Sequence, residues 1–221
     1  MHSIAKRSVA EFIGTAILVC TVVGSGIMGT NLSDDLAVAL LVNALATVAV
    51  LALLIQLFAP ISGAHFNPAV SLAMAFTKRQ KLADTVIYVM AQISGAIAGA
   101  ITANLMFNLA AVQFSQNVRF SPGTFLGEVI ATAGLITVIY VLIERNQEKL
   151  IPVAVAGWIG TAYFFTSSTS FANPAVTIGR VFTDTFSGIA ADSVLPFIAA
   201  QLIGAAIGVL FSKTVLSNKT R

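Results

Sequence analysis

The chain has 221 residues, of which 57% are hydrophobic and only 10% are charged, and its mean hydropathy is +0.91. A soluble domain needs more polar surface than this composition supplies, so the sequence predicts a protein that lies in a lipid bilayer. The formal net charge of +3 is small.

Six segments of the chain are apolar and contain no Asp, Glu, Lys or Arg. A helix needs about 20 mostly apolar residues to cross roughly 30 Å of hydrocarbon. The sequence therefore predicts six transmembrane helices, over residues 12–29, 36–59, 85–107, 129–143, 150–166 and 194–211. The short polar start could mimic a secretory signal, but no small-residue cleavage site follows it, so we expect the first segment to be retained.

The lysine and arginine residues indicate the orientation, because they are retained on the cytoplasmic side of membrane proteins. With six spans, ten of the 12 basic residues lie on one side, and only Arg119 and Arg180 lie on the other. The sequence thus predicts a multi-pass protein of the cell inner (plasma) membrane with both termini in the cytoplasm. Anionic lipid headgroups account for the basic charge, so no nucleic-acid partner is needed.

The two halves of the chain are similar, and the similar segments follow in the same order. They are residues 10–13 and 127–130, 65–70 and 171–176, and 91–96 and 200–205. Because each copy holds three spans, the second copy enters the membrane from the opposite side, which gives an inverted repeat. We expect one transmembrane domain over residues 1–221, with repeat one over about 8–107 and repeat two over about 123–213.

Each copy also carries an Asn-Pro-Ala box, at residues 67–69 and 173–175. Asn is a favoured N-cap and Pro is favoured at the first helical position, so each box predicts the start of a helix. Each helix has only about ten residues before Lys78 or Asp184, too few to span. The predicted fold class is an all-α membrane protein, an inverted repeat of six transmembrane helices plus two re-entrant half-helices that meet near the midplane.

The loops that enter the half-helices, residues 61–66 and 166–172, are rich in Gly, Ser, Thr and Ala. Their carbonyl groups can accept hydrogen bonds from a passing solute, and the amides of Asn67 and Asn173 can donate at the centre. The spans would supply an apolar wall opposite. These features predict a passive channel for small polar solutes.

These motifs resemble the aquaporin, or major intrinsic protein, family. The resemblance rests on the two Asn-Pro-Ala boxes, on residues 61–65 before the first box, and on residues 10–15 of the first span, and it covers nearly the whole chain. It implies a homotetramer with one pore in each subunit. It places Asn67 and Asn173 at the pore centre and assigns the selectivity filter to Thr47, Thr161, Ser170 and Val176. The residues expected to support the half-helices are Pro68, Ala69, Pro174, Ala175, Glu11 and Glu128.

The sequence departs from the family at Val176, where most members carry Arg. Loss of a guanidinium removes a hydrogen-bond donor and a positive charge, so we expect a wide filter with three hydroxyls, a methyl face and no aromatic side chain. This filter also resembles that of bacterial aquaglyceroporins associated with arsenic resistance. The resemblance implies water, glycerol, urea and metalloid acids such as arsenite as solutes.

Arg180 lies four residues beyond Val176, on the same helix face. We interpret Arg180 as lining the outer vestibule; the alternative is an arginine that snorkels at the end of the half-helix or is bonded to Asp184.

Other functions remain open at this point. Glu11 and Glu128 are predicted to accept hydrogen bonds from the loops, but a buried carboxylate can also relay protons. Inverted repeats also suit a secondary transporter coupled to protons, and a structural role in membrane junctions is a third reading. The chain has neither metal-ligand spacing nor a nucleotide-binding loop, so the sequence predicts no metal, no cofactor and no enzymatic activity.

Overall fold

The computed structural model describes residues 2–216, and all regular structure within that range is helical. Two groups of four helices follow one another, each in the order long, long, short, long. They are α1 (Ile4–Leu32), α2 (Leu36–Ser62), α3 (Pro68–Phe76), α4 (Leu82–Met106), α5 (Pro122–Glu144), α6 (Ile151–Phe165), α7 (Pro174–Gly179) and α8 (Ala191–Leu216). The predicted all-helical fold with two half-helices, α3 and α7, is confirmed.

Five of these helices are long and apolar enough to cross a membrane: α1, α2, α4, α5 and α8. The sixth predicted span, α6, has only 15 residues, but a 3₁₀ turn at Glu148–Leu150 runs directly into it. Together the turn and the helix rise about 29 Å, which is close to the hydrocarbon thickness.

Polar caps and left-handed residues set several helix boundaries. The Asp35 carboxylate accepts a hydrogen bond from the Ala37 N–H at 2.8 Å at the start of α2, and Ser121 forms a capping box with Thr124 at the start of α5. Gly63 ends α2 with φ at 89°, a left-handed conformation that glycine adopts without steric cost. The turn at Gly63 directs the chain into the loop before α3.

Glycines allow α4 to pack against α1 and, in the second half, α8 to pack against α5. A Cβ atom on Gly99 would lie 2.2 Å from the carbonyl oxygen of Ala16, and one on Gly208 would lie 2.5 Å from that of Ala133. Such contacts are sterically forbidden, so only glycine permits the two backbones to come this close. These crossings fix the frame that carries the half-helices.

We expect Gly99→Ala to lower the free energy of unfolding by about 1–3 kcal/mol, because the added methyl group overlaps the α1 backbone. Gly157→Ala is the matched control, since a Cβ there meets nothing within 4 Å. Thermal unfolding of the detergent-solubilised proteins measures both. Equal midpoints for the two variants would contradict the close crossing.

Candidate solute channel

A cavity of about 350 Å³ extends from Glu148 at one end to Arg180 at the other, and both Asn67 and Asn173 line it. One wall comes from the loops that enter α3 and α7. The opposite wall consists of apolar side chains from α1, α2, α5 and α6, among them Leu18, Val22, Leu51, Ile55, Leu135, Ile139, Val155 and Ile159. The cavity is therefore polar on one side and apolar on the other.

Reciprocal hydrogen bonds join the two half-helices at the middle of the cavity. The Nδ2 of Asn67 donates to the Ala172 carbonyl at 2.8 Å, and the Nδ2 of Asn173 donates to the Phe66 carbonyl at 2.8 Å. Each asparagine oxygen caps its own helix by accepting from the N–H of Ala69 or Ala175. An amide nitrogen carries two hydrogens, so each asparagine keeps one for the cavity.

Pro68 and Pro174 follow the asparagines as the first residues of α3 and α7. Proline has no N–H, and the first N–H of a helix has no partner within the helix, so nothing is lost there. Ala69 and Ala175 come next and are fully buried.

Both loops turn by the same unusual backbone path. Ala64 and Phe66 have φ values of 50° and 49°, and the matching Ser170 and Ala172 have 51° and 46°. Left-handed conformations cost non-glycine residues roughly 1–2 kcal/mol each. Something in the protein must therefore hold these loops in place.

Two buried carboxylates hold the loops. Glu11 accepts hydrogen bonds from the N–H groups of His65 and Phe66, at 3.0 and 2.6 Å, and from the Gln92 amide at 2.8 Å. At the matching place, Glu128 accepts bonds from the backbone of the second loop and from a glutamine of α8. Its donors include Phe171 N–H at 2.9 Å, Ala172 N–H at 2.8 Å and Gln201 Nε2 at 2.6 Å. Since the N–H groups turn to the carboxylate, the loops are free to present carbonyl groups to the cavity.

Three of the four predicted filter residues line the cavity: Thr47, Ser170 and Val176. The hydroxyl oxygen of Ser170 is buried and has no partner among the described residues, so it is available to a solute. Thr47 is also buried, and its hydroxyl accepts a hydrogen bond from the phenol of Tyr163.

Thr161 does not line the cavity, and its prediction as a filter residue is wrong in placement. Its side chain is exposed on the outer surface of α6 and donates to the Trp158 carbonyl of its own helix at 2.9 Å. Tyr163 lines the cavity instead, 4% exposed, and its phenol donates to the Thr47 hydroxyl at 3.2 Å. An aromatic ring therefore lines the cavity beside Thr47, where none was expected.

The sequence carried a signal for Tyr163 in its helical spacing. Pro152, Val155, Ile159 and Tyr163 recur every three or four residues and share one face of α6, and all four line the cavity. Thr161 is two residues from Tyr163, which rotates its side chain by about 200° to the other face.

Arg180 lines the end of the cavity opposite Glu148 and is 3% exposed. Its Nε donates to the Ser187 carbonyl, and its Cζ lies 3.5 Å from the centroid of the Phe171 ring, a cation–π contact. Asp184 bonds to the Gln116 N–H instead, and no ion pair to Arg180 is formed within residues 2–216. Arg180 therefore brings an unneutralised positive charge to the cavity mouth.

Arg119 lies on the same Phe171 ring, with its Cζ 5.5 Å from the centroid. It donates to the carbonyls of Phe186 and Gly188 at 2.7 and 2.6 Å, and so ties the loop before α5 to the loop after α7. Burial lowers the pKa of Arg119 to about 10, which leaves it charged at neutral pH. Two cations thus flank one aromatic ring at this mouth.

Two similarities decide the family. The sequence profile of the major intrinsic protein family matches residues 1–169, and aquaglyceroporin AqpS of Rhizobium meliloti (strain 1021) is 46% identical over 96% of this chain and 91% of its own length. The chain belongs to the major intrinsic protein family. The profile match ends before the second Asn-Pro-Ala box, but the geometry around Asn173 repeats that around Asn67.

Two further proteins are less similar to this chain. Aquaporin-4 of Mus musculus is 29% identical over 90% of this chain, which spans 59% of that relative's length. The X-ray structure of the aquaglyceroporin from Plasmodium falciparum aligns with a TM-score of 0.70 over 98% of this chain and 97% of its own, at 24% identity. This likeness supports the predicted fold.

We expect Tyr163→Ala to widen the filter, because it removes both the ring and the hydrogen bond to Thr47. Flux of polyols larger than glycerol, measured against water flux in proteoliposomes, should rise several-fold. Thr161→Ala is the matched control on the same helix and should leave both fluxes unchanged. A selectivity change in Thr161→Ala alone would contradict the assignment of Tyr163 to the pore.

Proposed function

We propose that this major intrinsic protein is a passive, wide-filter channel for small uncharged polar solutes. The proposed solutes are water, glycerol, urea and undissociated metalloid acids such as arsenous acid. One observation carries the proposal: a cavity with one polar and one apolar wall passes both asparagines and meets Val176, not a guanidinium, beside the second box.

The two walls explain why such solutes are favoured. A polyol or a metalloid acid can place its hydroxyl groups against the loop carbonyls, the Ser170 hydroxyl and the asparagine amides, and its other face against the apolar side chains. An ion loses far more hydration than these groups can replace. The positive ends of α3 and α7 also point to the pore centre and disfavour cations.

The filter has both a widening and a narrowing feature. At position 176 the chain has valine instead of the arginine that would reach across the pore. The Tyr163 ring, which is hydrogen-bonded to Thr47, occupies part of the wall. The proposed upper size limit is therefore close to a three-carbon polyol. The aquaglyceroporin name of the relative at 46% identity supports glycerol as a solute.

We also propose a membrane location, an orientation and an oligomeric state for the channel. The distribution of Lys and Arg supports an inner (plasma) membrane protein with both termini in the cytoplasm. Large apolar side chains exposed on the helices, such as Leu45, Leu53 and Leu57 on α2, support contact with lipid or with further copies, and we propose a homotetramer. The protein is proposed to catalyse no reaction.

Proteoliposomes test the proposal directly. Purified protein should admit water, glycerol and arsenous acid down their gradients, and the rates should not depend on an imposed pH gradient. Uphill accumulation driven by protons would favour the secondary transporter that the inverted repeat also permits. Water flux without glycerol or arsenous acid flux would exclude the wide filter.

Val176→Arg restores the side chain that most family members carry and should narrow the pore. We expect glycerol flux to fall roughly tenfold, equivalent to about 1.4 kcal/mol of added barrier, with water flux largely kept. Val176→Leu is the size control without charge or donors, and it should have a smaller effect. Unchanged selectivity in Val176→Arg would mean that position 176 does not face the solute.

A further inference from the structure

A second cavity of about 1110 Å³ lies outside the channel, where the start of α1, the end of α2 and the loop from α3 to α4 meet. The charged side chains that line it are mainly basic: Arg7, Lys78, Arg79 and Lys81, against the single carboxylate of Asp84. We call it the basic groove. The proposed orientation of the channel places this groove at the cytoplasmic surface of the membrane.

The charges in the basic groove are only partly neutralised. Arg7 pairs with Asp84 at 3.1 Å, and Arg79 pairs with Glu144 on α5. Neither ion pairs nor side-chain hydrogen bonds engage Lys78 and Lys81 within residues 2–216. The groove therefore keeps two cations without counterions.

Gln80 adds an unsatisfied donor. Its Nε2 is buried and has no acceptor among the described residues, and Gln80 lines the same groove. A buried donor without a partner costs roughly 1–3 kcal/mol, so the Gln80 amide would be stabilised by turning toward an anionic oxygen bound in the groove. Donors and positive charge together point to a phosphate-type ligand.

The loop that carries these residues is held rigid before any ligand arrives. After α3 the chain forms a Schellman turn: Lys78 has φ at 60°, its N–H donates to Ala75, and the Arg79 N–H donates to Met74 at 2.8 Å. The ion pair of Arg79 with Glu144 ties the same loop to α5. A preorganised loop loses little entropy on binding.

An apolar groove of about 520 Å³ continues from the basic groove between α3, α4 and α8. Ala75 and Leu82 line both cavities, so the two are adjacent. Small residues on α3 and α8, such as Ala73 and Ala206, leave this groove open, while Phe76 forms part of its side. A ligand that fills both must carry an anionic head and an apolar tail.

We propose that this composite site binds one anionic phospholipid, with its phosphate at Lys78, Lys81 and the Gln80 amide and an acyl chain along the α3–α8 groove. The lipid would contact α3, the half-helix that begins after Asn67 at the channel centre. Bound lipid therefore stabilises the helix that presents one of the two pore amides.

The headgroup part of the proposal is tested by titrating the detergent-solubilised full chain with phosphatidylglycerol or phosphatidylcholine and measuring bound lipid by native mass spectrometry. Phosphatidylglycerol should bind preferentially. The double variant K78Q/K81Q should weaken it about 25-fold, since each lysine near an anionic headgroup contributes about fivefold. R145Q/K149Q, which removes two exposed cations outside the groove, is the matched control. Equal binding of the two lipids, or equal losses in both double variants, overturns the proposal.

The acyl part is tested by filling the apolar groove. Ala206→Phe should reduce phosphatidylglycerol retention without changing any charge, whereas Ile207→Phe, on the same helix outside the groove, should not. Soluble glycerol phosphate should raise the unfolding midpoint far less than the lipid. A full shift by glycerol phosphate, or unaltered retention in Ala206→Phe, overturns the lipid assignment.

Glycerol flux in phosphatidylcholine liposomes should persist in all four variants, which keeps this test separate from that of the channel.

Discussion

The structure depends on one constraint, the need to satisfy the polar backbone of two loops that lie at membrane depth. Water cannot do this in the bilayer, and irregular backbone has no partners of its own. Glu11 and Glu128 meet the need by accepting the loop N–H groups, assisted by Gln92 and Gln201. A buried carboxylate is costly, but it is stabilised when several donors converge on it, and these two each receive at least three.

This arrangement leads from fold to function. With their N–H groups engaged, the loops leave carbonyl groups for the cavity, and the half-helices bring two amides to its centre. The glycine crossings of α4 on α1 and of α8 on α5 hold the frame within which this happens. A wall of aliphatic side chains opposite the loops completes a passage in which a solute can exchange water for protein on one side only.

Much of the fold was predictable from the sequence because its signals are physical and local. Charge-free runs mark the spans, Asn-Pro marks each half-helix, and the odd number of spans in each repeat dictates the inversion. The site was less predictable. The family resemblance assigns Thr161 by its position along the chain, which does not fix a face of α6, whereas helical spacing points to Tyr163. The partners of Arg180 depend on loops that come together only in three dimensions.

The hydrogen bonds that cross from each asparagine to the opposite loop have a consequence for biogenesis. The Phe66 carbonyl and the Asn67 amide find their partners about a hundred residues later in the chain, at Asn173 and Ala172. During synthesis the first half reaches the bilayer before those partners exist. These two hydrogen bonds can therefore form only once the second half has been made, so the pore centre is completed late, by the two repeats together.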